Sequence, residues 1–398
     1  MNQHNSPITV LIVDDSPFMR LTLQKILSQV PGIKVLDAAR DGRDGIEKLQ
    51  ALRPQVVTMD VEMPGIDGLQ ALDEIMRWQP TPVIILSAVT TEGAQSTLKA
   101  LDLGAFDVVA KPSGGPGADL QVLARDLTEK VKAAAQVDPS RLAKKGAAFR
   151  QKSPLGTKLG FSAGVTGSNP TGSSPENLLS DSGNPAQASG YIKNRFAESS
   201  GVFPKHPVEI VAIGTSTGGP SALQNVLPQL PANFPVPVLV AQHMPPGFTA
   251  PLAQRLNGLC PLNVREGING EALKAGTIYV APAGKQLQVQ RRDRQLILHI
   301  GDESPIPTLY HPSVDVMFLS LAKEVGGGAL GVVMTGMGND GVRGMKEIKA
   351  QGGFAIAEAE ESCVVYGMPR AIVDAGLADR VVPVTEIGRN IVECVQRR

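Results

Sequence analysis

Short, β-branched apolar runs alternate with longer stretches of mixed apolar and polar residues from Ile8 to about Val131, and again from Pro207 to the carboxyl terminus. Runs that are apolar at successive positions predict strands buried on both faces, as in a parallel sheet covered on either side by its crossover helices. Five βα units fit the first region, and the last of its helices carries Leu120, Leu123, Leu127 and Val131 as one buried stripe at three- and four-residue spacing. Between Ala133 and Lys205 the pattern lapses into Ser, Gly, Pro, Asn and Thr, with too little apolar surface to offset the entropy of ordering. A flexible, coil-like linker is expected there, interrupted by a short basic helical turn over Arg141 to Phe149. In the second region, the close succession of strand-like runs from Thr277 to Ile300 predicts an antiparallel excursion. The pattern therefore predicts an α/β chain of two doubly wound parallel-sheet domains, residues 7–131 and 207–398. A flexible Ser/Gly/Pro-rich linker over residues 132–206 joins them, and the second domain carries a small antiparallel hairpin.

At 398 residues the chain exceeds one ordinary core. Its 38 Lys and Arg balance 38 Asp and Glu, so no charge excess advertises nucleic acid or an anionic membrane surface as a partner. No apolar stretch approaches the roughly 18–20 residues that span a bilayer. The amino terminus also lacks the basic and apolar regions of a secretory signal. A cytoplasmic protein without membrane insertion is expected. Cys260, Cys363 and Cys394 are odd in number and lack metal-ligand spacing, which fits buried thiols in a reducing compartment and argues against a zinc site.

Candidate chemistry in the first domain lies at strand ends. Asp14 and Asp15 follow the first apolar run, Asp60 ends the third, Ser87 ends the fourth, and Lys111 follows the fifth. A parallel sheet brings these positions to one edge. Acidic residues at strand ends are often only solvated caps, but three carboxylates at one edge repel each other unless a hard cation joins them, and Mg²⁺ prefers that environment. Asp14, Asp15 and Asp60 are candidate metal ligands. Asp60 is the candidate phosphoryl acceptor, with Ser87 to hydrogen-bond the new group and Lys111 to pair with it. The segment Met59 to Gly65 completes the pattern, and residues 7 to about 131 resemble the receiver domain of two-component response regulators. Val108 stands where receivers often carry an aromatic residue, with Phe106 nearby.

Three polar segments carry the chemistry of the second domain: Gly214 to Gly219, Gln242 to Gly247, and Thr335 to Gly341, each directly after an apolar run. They place Ser216, His243 and Asp340 past the ends of three predicted strands as a candidate hydrolytic triad. Glycines around Ser216 match a nucleophile elbow, in which a tight strand-to-helix turn exposes the serine. The same turn equally suits a phosphate cradle at a helix N-terminus, although the familiar phosphate-loop spacings are absent. The chain order Ser, His, Asp differs from the Ser, Asp, His order of α/β-hydrolases. His243 would serve as the base and Asp340 would fix its tautomer, while the glycines flanking Met337 nominate its amide for an oxyanion. His4, His206 and His299 lie in linker-like or hairpin sequence, and His311 begins a polar turn suited to substrate contact.

These segments, together with Pro312 to Asp315 and Cys363 to Pro369, make the second domain resemble the chemotaxis response-regulator protein-glutamate methylesterases, and the whole chain matches that family's domain order. The resemblance implies a flavodoxin-like receiver followed by a Rossmann-like methylesterase domain. It also implies Ser216, His243 and Asp340 as the triad, Met337 at the oxyanion hole, and His311 in a place where arginine is expected. Its implied substrate is a γ-glutamyl methyl ester of a methyl-accepting chemoreceptor, hydrolysed to glutamate and methanol, with deamidation of glutamine beside it. The implied phosphodonor is a chemotaxis histidine kinase and the implied cofactor is Mg²⁺ in the receiver, with none in the esterase domain. The protein is expected to be a monomer. A signalling adaptor with an inert second domain and a hydrolase acting on a different client remain alternatives at this point.

Overall fold

The structure is a computed structural model that describes residues 6–112, 118–152 and 202–396. The first unit alternates strand and helix: β1 (Ile8–Val13), α1 (Pro17–Ser28), β2 (Ile33–Ala39), α2 (Gly42–Leu52), β3 (Val56–Asp60), α3 (Gly68–Trp78), β4 (Val83–Ser87), α4 (Thr91–Leu103), β5 (Asp107–Ala110) and α5 (Ala118–Ala134). Its five strands pair in parallel in the order β2-β1-β3-β4-β5. Strands β3 and β4 are buried at every position, as expected of largely apolar strands covered on both faces. Four helices start on side-chain caps: Ser16, Asp41, Asp67 and Thr90 each accept from a backbone N–H of the first turn. The five βα units read from the sequence are therefore all present.

Order does not stop at residue 131. Helix α5 runs to Ala134, and a further helix α6 (Pro139–Lys152) packs on the first unit, with Arg150 bonded to Asp73 at 2.6 Å. Gly146 and Gly104 are the close-approach points, since a Cβ at either would lie 2.2 Å from Leu103 O or 2.7 Å from Leu142 O. The linker expected from residue 132 thus begins as helix, and the short turn expected over residues 141–149 is part of four helical turns. Residues 153–201 of that expected linker, which ran to residue 206, and His4 lie outside the described residues.

The second unit continues with β6 (Ile210–Thr215), α7 (Gly219–Val226), β7 (Val238–Gln242), α8 (Thr249–Asn257), β8 (Asn263–Glu266), β9 (Thr277–Val280), β10 (Gln286–Arg292), β11 (Gln295–Gly301), α9 (Val314–Glu324), β12 (Ala329–Val333), α10 (Val342–Ala350), β13 (Phe354–Glu358), α11 (Met368–Asp374), β14 (Arg380–Val382) and α12 (Val384–Gln396). Seven strands form a parallel sheet in the order β14-β13-β12-β6-β7-β9-β8. The antiparallel excursion is smaller than the expected Thr277 to Ile300. Thr277–Val280 pairs in parallel with β7 and β8, and only β10 and β11 form the hairpin. Both units are thus α/β with parallel sheets, the second bearing a small antiparallel hairpin. The chain leaves β6 toward β7 on one side and reaches β12 on the other, so β6 is the topological switch point at which open α/β sheets place their sites.

Candidate active site

Ser216 follows β6 directly. The turn after it needs Gly218, which has φ +81° and opens α7, and Gly219, where a Cβ would fall 2.1 Å from Gln242 Oε1. Gly336, past the neighbouring β12, is equally constrained, because its Cβ would lie 2.8 Å from the Cβ of Ser216. The serine backbone is pinned by Ser216 N donating to Thr335 O at 3.0 Å, and Thr335 N in turn donates to the buried Glu358 at 2.7 Å. Burial raises the Glu358 carboxyl above its ordinary value despite that hydrogen bond.

His243 follows β7, and its Nε2 lies 2.8 Å from Asp340 Oδ2. The same carboxylate accepts from Ser313 Oγ at 2.9 Å, Val314 N at 2.7 Å and Asp315 N at 2.9 Å, so it sits on the N-terminus of α9. Burial alone would raise the Asp340 carboxyl, but the contact with His243, followed by these amides, outweighs it and holds the group below its usual range. An ionised carboxylate only accepts, so Nε2 carries the imidazole hydrogen and Nδ1 presents a lone pair. That Nδ1 is buried and has no hydrogen-bond partner. It is the nitrogen free to receive a proton.

Ser216, His243 and Met337 line one cavity of about 640 Å³, and Asp340 is joined to it through its contact with His243. The structure thus brings together the serine, histidine and aspartate expected from sequence, with Met337 on the wall. His311 also lines this cavity. The sequence reading did not single out Tyr310, whose ring stacks on the His243 imidazole at 4.2 Å and 4°, or the fully buried Gln286. Ser313 had a local signal, since it caps α9 by accepting from Val316 N.

Part of the cavity wall belongs to the first unit. Lys111, Arg125, Asp126, Glu129 and Lys130 face the serine and histidine across it. Asp107, at the head of β5, accepts from the hydroxyl of Thr217, the residue after Ser216. Asp102 of α4 accepts from Gln224 of α7 at 3.2 Å and pairs with Arg255 of α8. From α6, Arg141 donates to the carbonyls of Glu360 at 3.3 Å and Cys363 at 3.1 Å.

At the edge of the first sheet, oxygens of Asp14, Asp15 and Asp60 lie within 4.8 Å of one another. Lys111 Nζ is 2.6 Å from Asp60 and 2.9 Å from Asp14. Burial works to lower the Lys111 ammonium, yet its contacts with Asp60 and Asp14 prevail and hold it above its ordinary value. Burial raises the Asp60 carboxyl, with Lys111 opposing. One ammonium paired with two of three clustered carboxylates leaves net negative charge, and Asp14 Oδ2 is buried with no aligned hydrogen bond. This all-oxygen donor set fits a hard divalent cation. Ser87 stands at the same edge, but its hydroxyl donates to Gly93 O at 3.1 Å, into the first turn of α4.

Sequence models of two families match the chain: that of the CheB methylesterase over residues 211–391 and that of the response regulator receiver domain over residues 10–118. The chain is 75% identical over 398 residues, all of both chains, to a protein-glutamate methylesterase/protein-glutamine glutaminase of Desulfitobacterium hafniense strain Y51. It is 44% identical over 426 aligned positions to the protein of the same name from Moorella thermoacetica, covering 98% of this chain and 99% of that one. Among solved structures, the catalytic domain of Thermotoga maritima CheB methylesterase is 39% identical, with 47% of this chain and 99% of that chain covered and a TM-score of 0.46. The response regulator domain of the same protein is 45% identical, with 33% and 99% covered and a TM-score of 0.32.

Proposed function

The chain belongs to the family of protein-glutamate methylesterases/protein-glutamine glutaminases in which a response-regulator receiver precedes a CheB methylesterase domain, and from that premise we propose that it hydrolyses γ-glutamyl methyl esters of methyl-accepting chemoreceptors and deamidates their glutamines. The observation that carries this reading is the His243–Asp340 pair, with a free Nδ1, in the same cavity as Ser216. Ser216 Oγ attacks the ester carbonyl as its proton passes to His243 Nδ1, and the Met337 amide faces the oxyanion. The protonated imidazole, stabilised by Asp340, returns that proton to the departing methanol or ammonia. Water then attacks the acyl-enzyme through the same base and releases glutamate.

In this reading Asp60 accepts a phosphoryl group from a chemotaxis histidine kinase, and Asp14, Asp15 and Asp60 would hold Mg²⁺, which supplies charge neutralisation for that transfer. Lys111 pairs with the phosphoryl oxygens, and Ser87 reaches them only after leaving Gly93 O. The first unit then acts as a plug, because its α5, together with Lys111 and Pro112 after β5, closes the cavity to a helical receptor segment. Phosphorylation loosens the plug. The functional units are a receiver over residues 7–131 extended by α6, and a catalytic unit over residues 207–398. The protein works as a cytoplasmic monomer.

Methanol release from methylated receptor membranes tests the reading. The wild-type chain is expected to release methanol faster with a small phosphodonor and Mg²⁺, and Ser216→Ala is expected to release none. Release that survives Ser216→Ala would remove the serine from the mechanism.

A further inference from the structure

The His243 imidazole is covered on one face by an aromatic ring. The Tyr310 ring lies parallel to it, 4° apart in plane and 4.2 Å between centroids. Tyr310 is itself held by its backbone, whose carbonyl accepts from Gln286 Nε2 at 2.7 Å. The other end of the same amide accepts from Ser313 N at 2.9 Å, and the Ser313 hydroxyl donates to Asp340. Gln286 is fully buried at the start of β10. One side chain of the hairpin therefore fixes both the ring that covers the imidazole and the segment that holds its carboxylate.

We propose that Tyr310, anchored by Gln286, is a positioning residue that sets the plane of the His243 imidazole and faces the charge this ring gains on taking the Ser216 proton. The proposal rests on the reading of Ser216, His243 and Asp340 as the hydrolytic groups. A single hydrogen bond from Nε2 to Asp340 leaves the imidazole free to rock about that axis, and a parallel ring against its face removes the freedom. An aromatic face also attracts a cation placed against it, so the stack favours imidazolium over neutral imidazole, and imidazolium forms only as the serine attacks. Burial first, and then the carboxylates of Glu129 and Asp340, push the Tyr310 phenol above its ordinary value, so the ring faces His243 as a neutral phenol.

The test uses the full-length protein and two readouts. A fluorophosphonate probe, which loses fluoride when Ser216 Oγ attacks its phosphorus, reports activation of the serine without a receptor. Methanol release from methylated receptor membranes, with phosphodonor and Mg²⁺, separates kcat from KM. Tyr310→Phe is expected to label and turn over like wild type. Tyr310→Leu, on a half-buried loop, is expected to label roughly three- to thirty-fold more slowly, the span of weak to desolvated cation–aromatic contacts, with the loss in kcat and not in KM. Gln286→Leu is expected to slow labelling in the same direction. Equal labelling of Tyr310→Leu and wild type overturns the proposal, as does a Phe variant as slow as the Leu variant, or a loss confined to KM. Wild-type labelling that persists in Ser216→Ala overturns the hydrolytic reading itself, and the proposal with it.

Discussion

Replacing Asp340 with asparagine tests the proposed mechanism most directly, because the change keeps the shape and removes one acceptor. The carboxylate accepts from four donors. Ser313 Oγ and Asp315 N meet Oδ1, each at 2.9 Å, while Val314 N at 2.7 Å and His243 Nε2 at 2.8 Å meet Oδ2. An amide NH₂ in either place faces two of them. In place of Oδ2 it opposes the Val314 N–H and meets His243 only if the imidazole hydrogen moves to Nδ1, where it blocks transfer from Ser216. In place of Oδ1 it opposes the Asp315 N–H, and only the Ser313 hydroxyl can turn to accept. Either arrangement leaves one backbone N–H at the head of α9 without its acceptor, at about 1–3 kcal/mol of stability. Both remove the charge that stabilises the imidazolium. The corresponding substitution in a serine protease lowers kcat by about 10⁴, which is about 5.5 kcal/mol of barrier. Fluorophosphonate labelling and methanol release are expected to fall together by about that factor, and urea melts should report the smaller stability loss. Labelling within about tenfold of wild type, a loss of about 1.4 kcal/mol or less, would refute the assignment of Asp340 to the tautomer.

Acid should act on the same contact. The Asp340 carboxyl is held below its usual range, so the unfolded chain binds this proton first as pH falls. The contribution is present above the ordinary carboxylate value and disappears as pH falls through the lower folded-state value, so urea melts of wild type and Asp340→Asn should converge in acid. Gly336→Ala brings a methyl to 2.8 Å from Ser216 Cβ and 2.5 Å from Met368 Sδ, and is expected to cost about 1–3 kcal/mol in the melt and to slow labelling. An unchanged melt would mean that the turn has slack. Arg255→Ala removes the ion pair to Asp102 between the two units. A pair of this kind contributes about 1 kcal/mol, so labelling without phosphodonor should rise roughly fivefold, and no rise would mean that this contact does not help the plug. Asp60→Asn is expected to abolish the rise in methanol release on adding phosphodonor and Mg²⁺, and a retained response would place the acceptor elsewhere.

The sheets and the placement of the three candidate residues at neighbouring strand ends were legible because each depends on a local signal. Unbroken apolar runs such as Val83 to Leu86 mark doubly buried strands, and the glycines beside Ser216 and Met337 mark turns that a Cβ would block. Helix α6 was less legible, since its polar stretch around Lys144 and Lys145 has weak amphipathic patterning, and its order comes from docking on α3 and α4. The antiparallel excursion was drawn too wide because strand length and β-branching do not reveal direction, and Thr277–Val280 takes its parallel pairing from β7 and β8. Tyr310 had no signal of any kind. It lies in an irregular segment between the hairpin and α9, and only the chain's return past β7 sets it on His243.

The two sites share more than a chain. Lys111 contacts Asp60 and Asp14 and also lines the cavity opposite Ser216, so the ion pairs at the candidate phosphorylation site are continuous with the wall of the hydrolytic cleft. On the proposed regulation this sets an energy scale. The polar contacts between the units run from Thr217 to Asp107, from Gln224 and Arg255 to Asp102, and from Arg141 to the carbonyls of Glu360 and Cys363. At about 0.5–1.5 kcal/mol net for each hydrogen bond, they amount to a few kcal/mol. Moving a closed population from 99:1 to 1:99 takes about 5.5 kcal/mol, so opening requires the phosphoryl group to act on the same few contacts and not merely to weaken one. Lys111 is placed to do so. A dianionic phosphoryl group beside Asp14 draws the ammonium toward itself, and Lys111 and its neighbour Pro112 also line the cavity.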